Sequence, residues 1–497
     1  MAELDWSVEY EAVIGVEVHA ELATRSKMFC SCAVVDATTS EPNIAVCPVC
    51  AGMPGVLPVV NQAAVELGLR LALALECEIL PSSIFARKNY FYPDLPKGYQ
   101  ISQYEQPLAR NGRLTLLTSQ GEKTVRIRRV HLEEDTGKLT HINRDGESYS
   151  LIDLNRAGVP LLEIVTEPDL HSAEDVRAYA MALRNLLRYC EVNSGDMQKG
   201  VMRIEPNVSV RKRGSPHLGT RTEIKNLNSF RALERSVAYE IERQIKLLEA
   251  GEAVVQETRG WDEAQAKTVS QRSKEEAHDY RYFPEPDLPP LIIEQAWLDE
   301  IRRKLPELPV ARWRRFQNQY GLSAYDAEVL VNERVVADYF ERAASLAPQL
   351  SPKTIANWIS GEVFGLMNQA GTEFDPQLLP VDSLVELLTV LEEGTINQPT
   401  AKAILAELFG SDKKARQLIR EKGLEQISDE SQILKWVAQV LQENPEQIQT
   451  YINGKDTLEQ WFFGQVMRLG GGKANPKIVQ QILREQLKRL KEQAKSE

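Results

Sequence analysis

The stretch that decides the fold is Val13-Ile-Gly-Val-Glu-Val-His-Ala-Glu-Leu22, in which apolar and polar residues alternate. Alternation with a period of two predicts a β-strand, because successive side chains point to opposite faces of a sheet. One face would carry apolar residues, and the other Glu17, His19 and Glu21. Carboxylates beside an imidazole suit a divalent cation, but a solvated polar face of a sheet explains this single strand equally well.

Two further segments add carboxylates to the predicted sheet. His131-Leu-Glu-Glu-Asp-Thr-Gly-Lys138 contains three consecutive acids, and Leu151–Val165 places Glu163 among apolar residues, after Asp153 and Arg156. Ionised groups are rarely buried without compensation. Acids from three separate elements are what a Mg²⁺-nucleotide site on a sheet requires. The common phosphate-binding glycine motifs are absent, so any ATP would bind through such a sheet-and-carboxylate site.

The cysteines indicate a second metal. Cys30 and Cys32 form one close pair, Cys47 and Cys50 form another, and the pairs are 14 residues apart. In a chain without disulfide context, this spacing predicts a structural Zn²⁺ with four thiolate ligands. The alternative is four reduced thiols, since Cys-x-Cys is less typical of zinc than Cys-x-x-Cys. Cys77 and Cys190 fall in apolar stretches and are predicted to be buried.

The chain divides into regions of different secondary structure. Residues 1–292 mix strands with two helices, one with a capping-box start at Ser172–Asp175 and one that stops at Gly251, which predicts an α+β domain. The proline-rich stretch 284–290 is a boundary. Beyond it we expect helices only, in a domain over 293–408 and a tail domain over 409–497.

Two segments interleave aromatic residues with basic ones. They are 87–104, with Lys88, Tyr90 and Tyr92, and His278-Asp-Tyr-Arg-Tyr-Phe-Pro284. Such segments can stack bases and hold phosphates, but loops anchored by buried tyrosines give the same pattern.

The net charge of −12 argues against general coating of nucleic acid. Residues 473–497 are an exception, with seven Lys or Arg against three Glu. A basic helix can meet phosphate, although a solvated helix surface is the commoner explanation. No signal peptide or membrane-spanning run is evident, so we expect a cytoplasmic protein without membrane attachment.

Several motifs together resemble the B subunit of bacterial and organellar Asp/Glu-tRNA amidotransferases, over essentially the whole chain. They are Ile14–His19, Arg87–Asp94, Pro96–Gln103, His131–Asp135, Asp153–Arg156, Glu223–Phe230, Asp279–Asp287 and the Gly-Lys-Ala-Asn-Pro stretch at 472–476.

The resemblance implies an N-terminal antiparallel-sheet catalytic cradle, distantly like glutamine synthetase, followed by an all-α helical domain and a tRNA-contacting tail. It implies that ATP phosphorylates the side-chain carboxylate of Glu-tRNA(Gln) or Asp-tRNA(Asn), and that ammonia then displaces phosphate. The ammonia would come from an amidase-type A subunit, in a heterotrimer with a small C subunit.

The resemblance also assigns roles to residues. By their positions in the motifs, His19, Glu134 and Glu163 are expected to bind Mg²⁺, and together with Glu17 to form the catalytic set. Lys88, Tyr90, Tyr92 and Arg156 are expected to bind substrate. The four cysteines occur in only some members, which fits a structural zinc.

One departure concerns Arg203-Ile-Glu-Pro-Asn207, where the family commonly has Arg-Cys-Asp-Ala-Asn. Because Pro206 removes a backbone donor, Glu205 is given no strong role.

Two other functions are alternatives to the amidotransferase interpretation. One is an RNA-binding scaffold whose partner performs the chemistry. The other is the archaeal relative specific for Glu-tRNA(Gln), which carries an inserted domain for which residues 292–408 leave little room.

Overall fold

A computed structural model describes residues 9–118, 121–144, 146–273, 280–427, 429–471 and 473–496 of the chain. The backbone divides into two compact units, Met1–Ala311 and Arg312–Glu497. Within the described ranges, no helix is long and apolar enough to cross a membrane. The predicted division at 292 and 408 stays a prediction.

The first unit is built on a mixed sheet that has nine strands among the described residues. They are β1 (Tyr10–Glu21), β2 (Glu78–Ile79), β6 (Ala109–Thr118), β7 (Gly121–Glu134), β10 (Pro160–Thr166), β11 (Met202–Lys212), β12 (Thr222–Lys225), β13 (Glu257–Asp262) and β14 (Lys267–Ser273). Their order across the sheet is β14-β13-β12-β11-β1-β10-β7-β6-β2. All neighbours are antiparallel except β12 and β13.

Three helices cover the apolar face of this sheet: α1 (Gln62–Ala74), α2 (Ala173–Tyr189) and α3 (Phe230–Glu249). The α2 helix starts as its capping residue predicts, because the Ser172 hydroxyl accepts a hydrogen bond from the Asp175 N–H at 3.0 Å. Gly68 lets α1 approach closely, since a Cβ there would lie 2.9 Å from the Leu108 side chain. The expected α+β first domain is confirmed to the extent that a large sheet and helices form it, and its likeness to glutamine synthetase stays a prediction.

Short strands border the large sheet. They are β3 (Ser82–Ser83) with β16 (Leu291–Ile292), the hairpin β8 (Lys138–Arg144) with β9 (Glu147–Asp153), and a three-stranded sheet of β4 (Phe85–Asn89), β5 (Tyr99–Gln103) and β15 (Phe283–Pro284). The last sheet joins the two aromatic and basic segments, which lie about 190 residues apart in sequence. Helix α4 (Gln295–Lys304) completes the first core through Leu298 and Ile301.

The second unit is helical, as expected. Helix α5 (Pro309–Tyr320) leads into it, and one core is formed by helices between Phe316 and Ile419. A separate core, from Ile433 to Leu487, is formed by the last four helices. The helices after α5 are α6 (Ala324–Val331), α7 (Arg334–Leu346), α8 (Pro352–Asn357), a π-helical turn (Trp358–Val363), α9 (Phe364–Ala370), α10 (Val381–Glu392), α11 (Gln398–Leu408), α12 (Ala415–Glu421), α13 (Glu430–Glu443), α14 (Pro445–Ile452), α15 (Leu458–Leu469) and α16 (Pro476–Ser496).

Candidate active site

The polar face of the sheet gathers an imidazole–carboxylate group from three adjacent strands. The register places His19 of β1 opposite Glu163 of β10, and Glu163 opposite His131 of β7. The Nε2 atom of His19 lies 3.4 Å from a Glu163 oxygen and 3.5 Å from a Glu133 oxygen. The Nε2 atom of His131 lies 3.1 Å from Glu163. We call His19, His131, Glu133 and Glu163 the His19 cluster.

A second acidic group lies beside it on the same face. Glu17 of β1 is opposite Glu205 of β11, and with Glu223 of β12 these carboxylates lie within 4.8 Å of one another. We call them the Glu17 cluster. The ammonium of Lys225 lies 2.9 Å from Glu205 and 3.4 Å from Glu223. The Thr258 hydroxyl donates a hydrogen bond to Glu223 at 2.9 Å. Glu205, for which the sequence predicts no strong role, is thus part of this group.

The electrostatics of both clusters favour a bound cation. Burial raises the pKa of Glu17, and the negative charges of Glu163 and Glu223 raise it further. Burial alone would lower the pKa of His19, but Glu163 and Glu133 raise it to about 9. The Nδ1 atom of His19 is buried and has no hydrogen-bond partner among the described residues. The carboxylate oxygens of both clusters are ligands of the kind that Mg²⁺ prefers, and Mg²⁺ retains water and phosphate oxygens in its shell.

The structure brings His19 and Glu163 together with Glu133 and places Glu134 outside the His19 cluster, and the expected Mg²⁺ grouping of His19, Glu134 and Glu163 stays a prediction. Neighbouring residues of a strand point to opposite faces, so Glu133 shares the polar face and Glu134 turns away. The Glu134 carboxylate lies 2.6 Å from the Lys97 ammonium and accepts a hydrogen bond from the Ile101 N–H at 3.0 Å. The signal that would have found Glu133 is its spacing of two from His131.

Aromatic and basic side chains stand next to the His19 cluster. The Lys88 ammonium lies 5.9 Å from the centre of the Tyr90 ring and 5.1 Å from that of Tyr280. Burial alone would lower the pKa of Lys88, but Glu133 raises it overall. The rings of Tyr104 and Tyr282 stack with centroids 4.3 Å apart. The structure therefore brings both aromatic segments together, although His278 and Asp279 of the second lie outside the described residues.

The other two expected substrate-binding residues lie in different surroundings. Tyr92 is exposed in the loop that joins β4 to β5. The Arg156 guanidinium donates hydrogen bonds to the carbonyl oxygens of Thr136 at 3.1 Å and Gly137 at 2.8 Å. It also lies 3.6 Å from Asp135, which pairs with Arg203 at 2.9 Å. Arg156 therefore holds the turn that follows β7.

A cavity of about 390 Å³ opens beside Glu17. Its walls include Arg128, Arg221, Asn207 and Gln256, and the Arg128 guanidinium already pairs with Glu167 at 2.8 Å. The cavity thus places a basic side chain, Arg221, and amide donors near Glu17, where they could meet phosphate oxygens.

The four cysteines converge as their spacing predicts. Their sulfur atoms lie within 4.8 Å of one another, and the Cys50 sulfur is 4.0 Å from that of Cys32 and 3.9 Å from that of Cys47. Four thiolates about 2.3 Å from a central Zn²⁺ have sulfur separations of this size. Cys77 and Cys190 are buried in the first core, as expected.

Comparison with known proteins places the chain beside one group of relatives. A family model described as the GatB/GatE catalytic domain matches residues 12–299, and one described as the GatB domain matches residues 338–487. The chain is 52% identical over 480 residues to the B subunit of the aspartyl/glutamyl-tRNA(Asn/Gln) amidotransferase of Moorella thermoacetica, covering 97% of this chain and 100% of the relative. The protein of the same name from Thermodesulfovibrio yellowstonii is 49% identical over 476 residues, covering 96% of this chain and 99% of the relative.

Proposed function

Because this chain belongs to the GatB family of aspartyl/glutamyl-tRNA(Asn/Gln) amidotransferase B subunits, we propose that it carries the ATP-dependent amidation of Glu-tRNA(Gln) and Asp-tRNA(Asn). The observation that carries the proposal is the pair of acidic clusters on one sheet face, beside a cavity lined by arginines. Amidation of a carboxylate needs an activated leaving group, and activation by ATP brings anions together. A site for cations next to donors for phosphate meets this need.

The reaction proceeds in two steps. A side-chain carboxylate oxygen of the aminoacyl-tRNA attacks the γ-phosphorus of ATP, the bond to ADP breaks, and an acyl phosphate forms. Ammonia then attacks the acyl carbon, the bond to phosphate breaks, and a proton is lost to leave the amide. An amidase-type A subunit supplies the ammonia from glutamine, and a small C subunit completes the heterotrimer.

The residues of the polar face have different roles in this reaction. His19, Glu133 and Glu163 would hold one Mg²⁺, and the Glu17 cluster would hold another. Bound Mg²⁺ supplies positive charge that offsets the negative charge of the phosphates and polarises them. Arg221 holds phosphate oxygens in the adjoining cavity, which we assign to ATP, while Arg128 stays paired with Glu167.

Lys88, Tyr90 and the stacked tyrosines face the aminoacyl end of the tRNA, where aromatic rings and a cation suit a terminal nucleotide. Glu134, whose ion pair with Lys97 lies on the other side of β7, supports the β5–β7 contact. Arg156 positions the turn after β7, and Tyr92 offers an exposed ring near the same strands.

Two further contacts complete the proposal. The cysteine cluster holds a structural Zn²⁺, since its four thiolates leave no open position for a substrate. The basic helix α16 meets the tRNA backbone. There Lys477, Lys488 and Arg489 are exposed, whereas Arg484 and Lys491 pair with acids of the same module.

The test is amidation by the assembled three-subunit complex, with each mischarged tRNA, ATP and glutamine. E163Q and E133Q keep the shape of the side chains and remove their charge, so we expect amidation to fall at least about 100-fold, as when a transition-state charge contact is lost. Glutamine hydrolysis by the amidase partner and tRNA binding should persist.

E11Q is the matched control, because Glu11 lies on the same strand and the same face but pairs with Arg211 at 2.7 Å, away from both clusters. It should amidate like the wild type. Full amidation by E163Q would overturn the proposal and favour an RNA-binding scaffold whose partner performs the chemistry.

A further inference from the structure

Lys27 is a charged residue buried next to the cysteine cluster. Its side chain has no solvent exposure, and its ammonium donates hydrogen bonds to the Leu154 carbonyl oxygen at 3.1 Å and to the Cys50 sulfur at 3.5 Å. Buried ammonium groups are costly unless an anion compensates them. Among the described residues, no carboxylate lies within ion-pair distance of it, so the sulfur is the neighbour that can carry the opposite charge.

The charge of a four-thiolate metal site explains this arrangement. Four thiolates around one divalent ion leave an excess of negative charge, and a buried site must compensate it with hydrogen-bond donors or cations. The Cys47 N–H supplies one donor to the Cys50 sulfur at 3.2 Å. The Lys27 ammonium supplies both a second donor and a positive charge. Neutral thiols would need neither.

We propose that Lys27 balances the charge of a divalent metal bound by the cysteine cluster and joins this metal centre to the segment 153–158, which leads into β10. The role of Lys27 in charge balance rests on the structural metal of the proposed function. Its link to the segment 153–158 rests on the contacts made by that segment. Lys27 is thus a positioning residue that acts through the metal ligands and does not touch the substrate.

The segment 153–158 contacts the loop 41–50, which carries Cys47 and Cys50, at several points. The Asn155 side chain accepts a hydrogen bond from the Ala45 N–H at 2.9 Å and donates one to the Glu41 carbonyl at 2.8 Å. Gly158 has a φ of +84°, and a Cβ there would lie 3.5 Å from both Lys27 and Cys50. The same segment carries Arg156, and Glu163 follows it on β10. Release of the metal would therefore loosen the approach to the His19 cluster.

The experiment replaces Lys27 in the full chain by Met, which has similar length without charge, and by Gln, which keeps a donor without charge. Metal content is measured on purified protein. Zinc affinity is measured by competition with a chelator, and the ligand field by the absorption of Co²⁺-substituted protein. K199M is the control. Lys199 pairs at 3.0 Å with Asp36, which lies in the loop between Cys32 and Cys47, but its side chain is solvent-exposed.

We expect the wild type and K199M to hold one metal ion per chain with the same affinity. K27M and K27Q should bind zinc about 10- to 100-fold more weakly, as is usual when a partner of a metal ligand is removed. Their thiolate-to-Co²⁺ charge-transfer bands should shift, because Cys50 loses a donor. A change of packing alone would leave those bands in place. If K27M does not fold, K27Q alone decides.

Two results would overturn the proposal, and they are distinguishable. Wild-type chain with reduced thiols and no metal would remove the metal site and the charge argument together. A wild type that holds zinc, with unchanged affinity and unchanged Co²⁺ bands in the Lys27 variants, would leave the metal site standing and remove the role of Lys27.

Discussion

Replacing Lys225 by Met should tighten the binding of a divalent cation to the Glu17 cluster. Burial alone would lower the pKa of Lys225, but Glu205 and Glu223 raise it, so the side chain is an ammonium at neutral pH. The Lys225 ammonium contacts the same two carboxylates that would bind a metal cation in the Glu17 cluster. The ammonium therefore repels that cation, and replacing Lys225 by Met removes the repulsion.

The distances set the size of the effect. The Lys225 ammonium is 2.9 and 3.4 Å from the two carboxylates, and a metal ion would lie about 2.1 Å from the same oxygens, which puts the two cations roughly 4–5 Å apart. At an effective dielectric constant of about 20, an ammonium and a divalent ion at that distance repel each other by about 7–8 kcal/mol. The side chain is 38% exposed, so water screens much of this. We expect at least about 1.4 kcal/mol to remain, which is a tenfold gain in affinity.

The assay is Mn²⁺ binding to the full chain, followed by the electron paramagnetic resonance signal of the free ion, since Mn²⁺ and Mg²⁺ both prefer oxygen ligands. The titration is made in the E163Q variant. This substitution weakens Mn²⁺ binding to the neighbouring His19 cluster, so that the measured binding reports on the Glu17 cluster. K212M, which removes an exposed lysine at the end of β11, is the control. Equal or weaker Mn²⁺ binding by K225M would refute a shared carboxylate site.

Three other predictions concern stability and tRNA binding. E240Q should lower the free energy of unfolding by about 1–3 kcal/mol in urea denaturation, because it removes the buried negative charge that pairs with Arg243 at 2.6 Å. Glu257, 4.0 Å from Arg243, still compensates part of the arginine charge. E242Q, which loses only an exposed contact to Lys246, should leave the free energy of unfolding unchanged. L183A should cost about 2–5 kcal/mol by the same measurement, because it leaves a cavity at a fully buried position of α2. K477Q/K488Q/R489Q should weaken tRNA binding and reduce the slope of log K against log salt by up to about 3 in a salt titration; an unchanged slope would remove α16 from the tRNA contact.

The triple variant is preferred to deletion after Gly470 for a structural reason. Deletion should also weaken tRNA binding if the tail contacts the tRNA. However, Val479, Leu483 and Leu487 of α16 form part of the core of the last module. A truncated chain would therefore lose the fold of that module, and reduced binding would not report on charge.

Local patterns in the sequence predicted the elements well. The alternation from Val13 to Leu22 is the central strand β1, and the cap at Ser172 begins α2 where expected. From residue 295 onward the described ranges contain helices and one isolated β-bridge, between Ile427 and Ala474, as the loss of strand patterns indicated. Periodicity and capping are local properties, so they can be recognised without knowledge of the fold. The family resemblance drawn from the motifs is confirmed by the matches over both regions.

The site was harder to predict because it depends on strand order. Lys88 and Tyr280 lie 192 residues apart in sequence, and only the pairing of β4 with β15 brings them together. The Glu17 cluster likewise requires β12 to lie two strands from β1. Glu133 is different, since its alternation with His131 was visible in the sequence. Motif position pointed to Glu134, whereas strand geometry places Glu133 on the polar face.

The location of the acidic clusters explains how the chain tolerates them. They lie on the central strands of the sheet, whose opposite face is the largest apolar core of the molecule. Burial and, after it, the neighbouring carboxylates raise the pKa of Glu17, so that keeping this group ionised in the folded state costs free energy. Rigid strands with a strong core beneath them can hold such groups in place, whereas a loop would let them separate. A bound cation relieves the repulsion between these carboxylates. Part of the free energy of cation binding in the proposed reaction therefore comes from the way the fold holds the carboxylates close together.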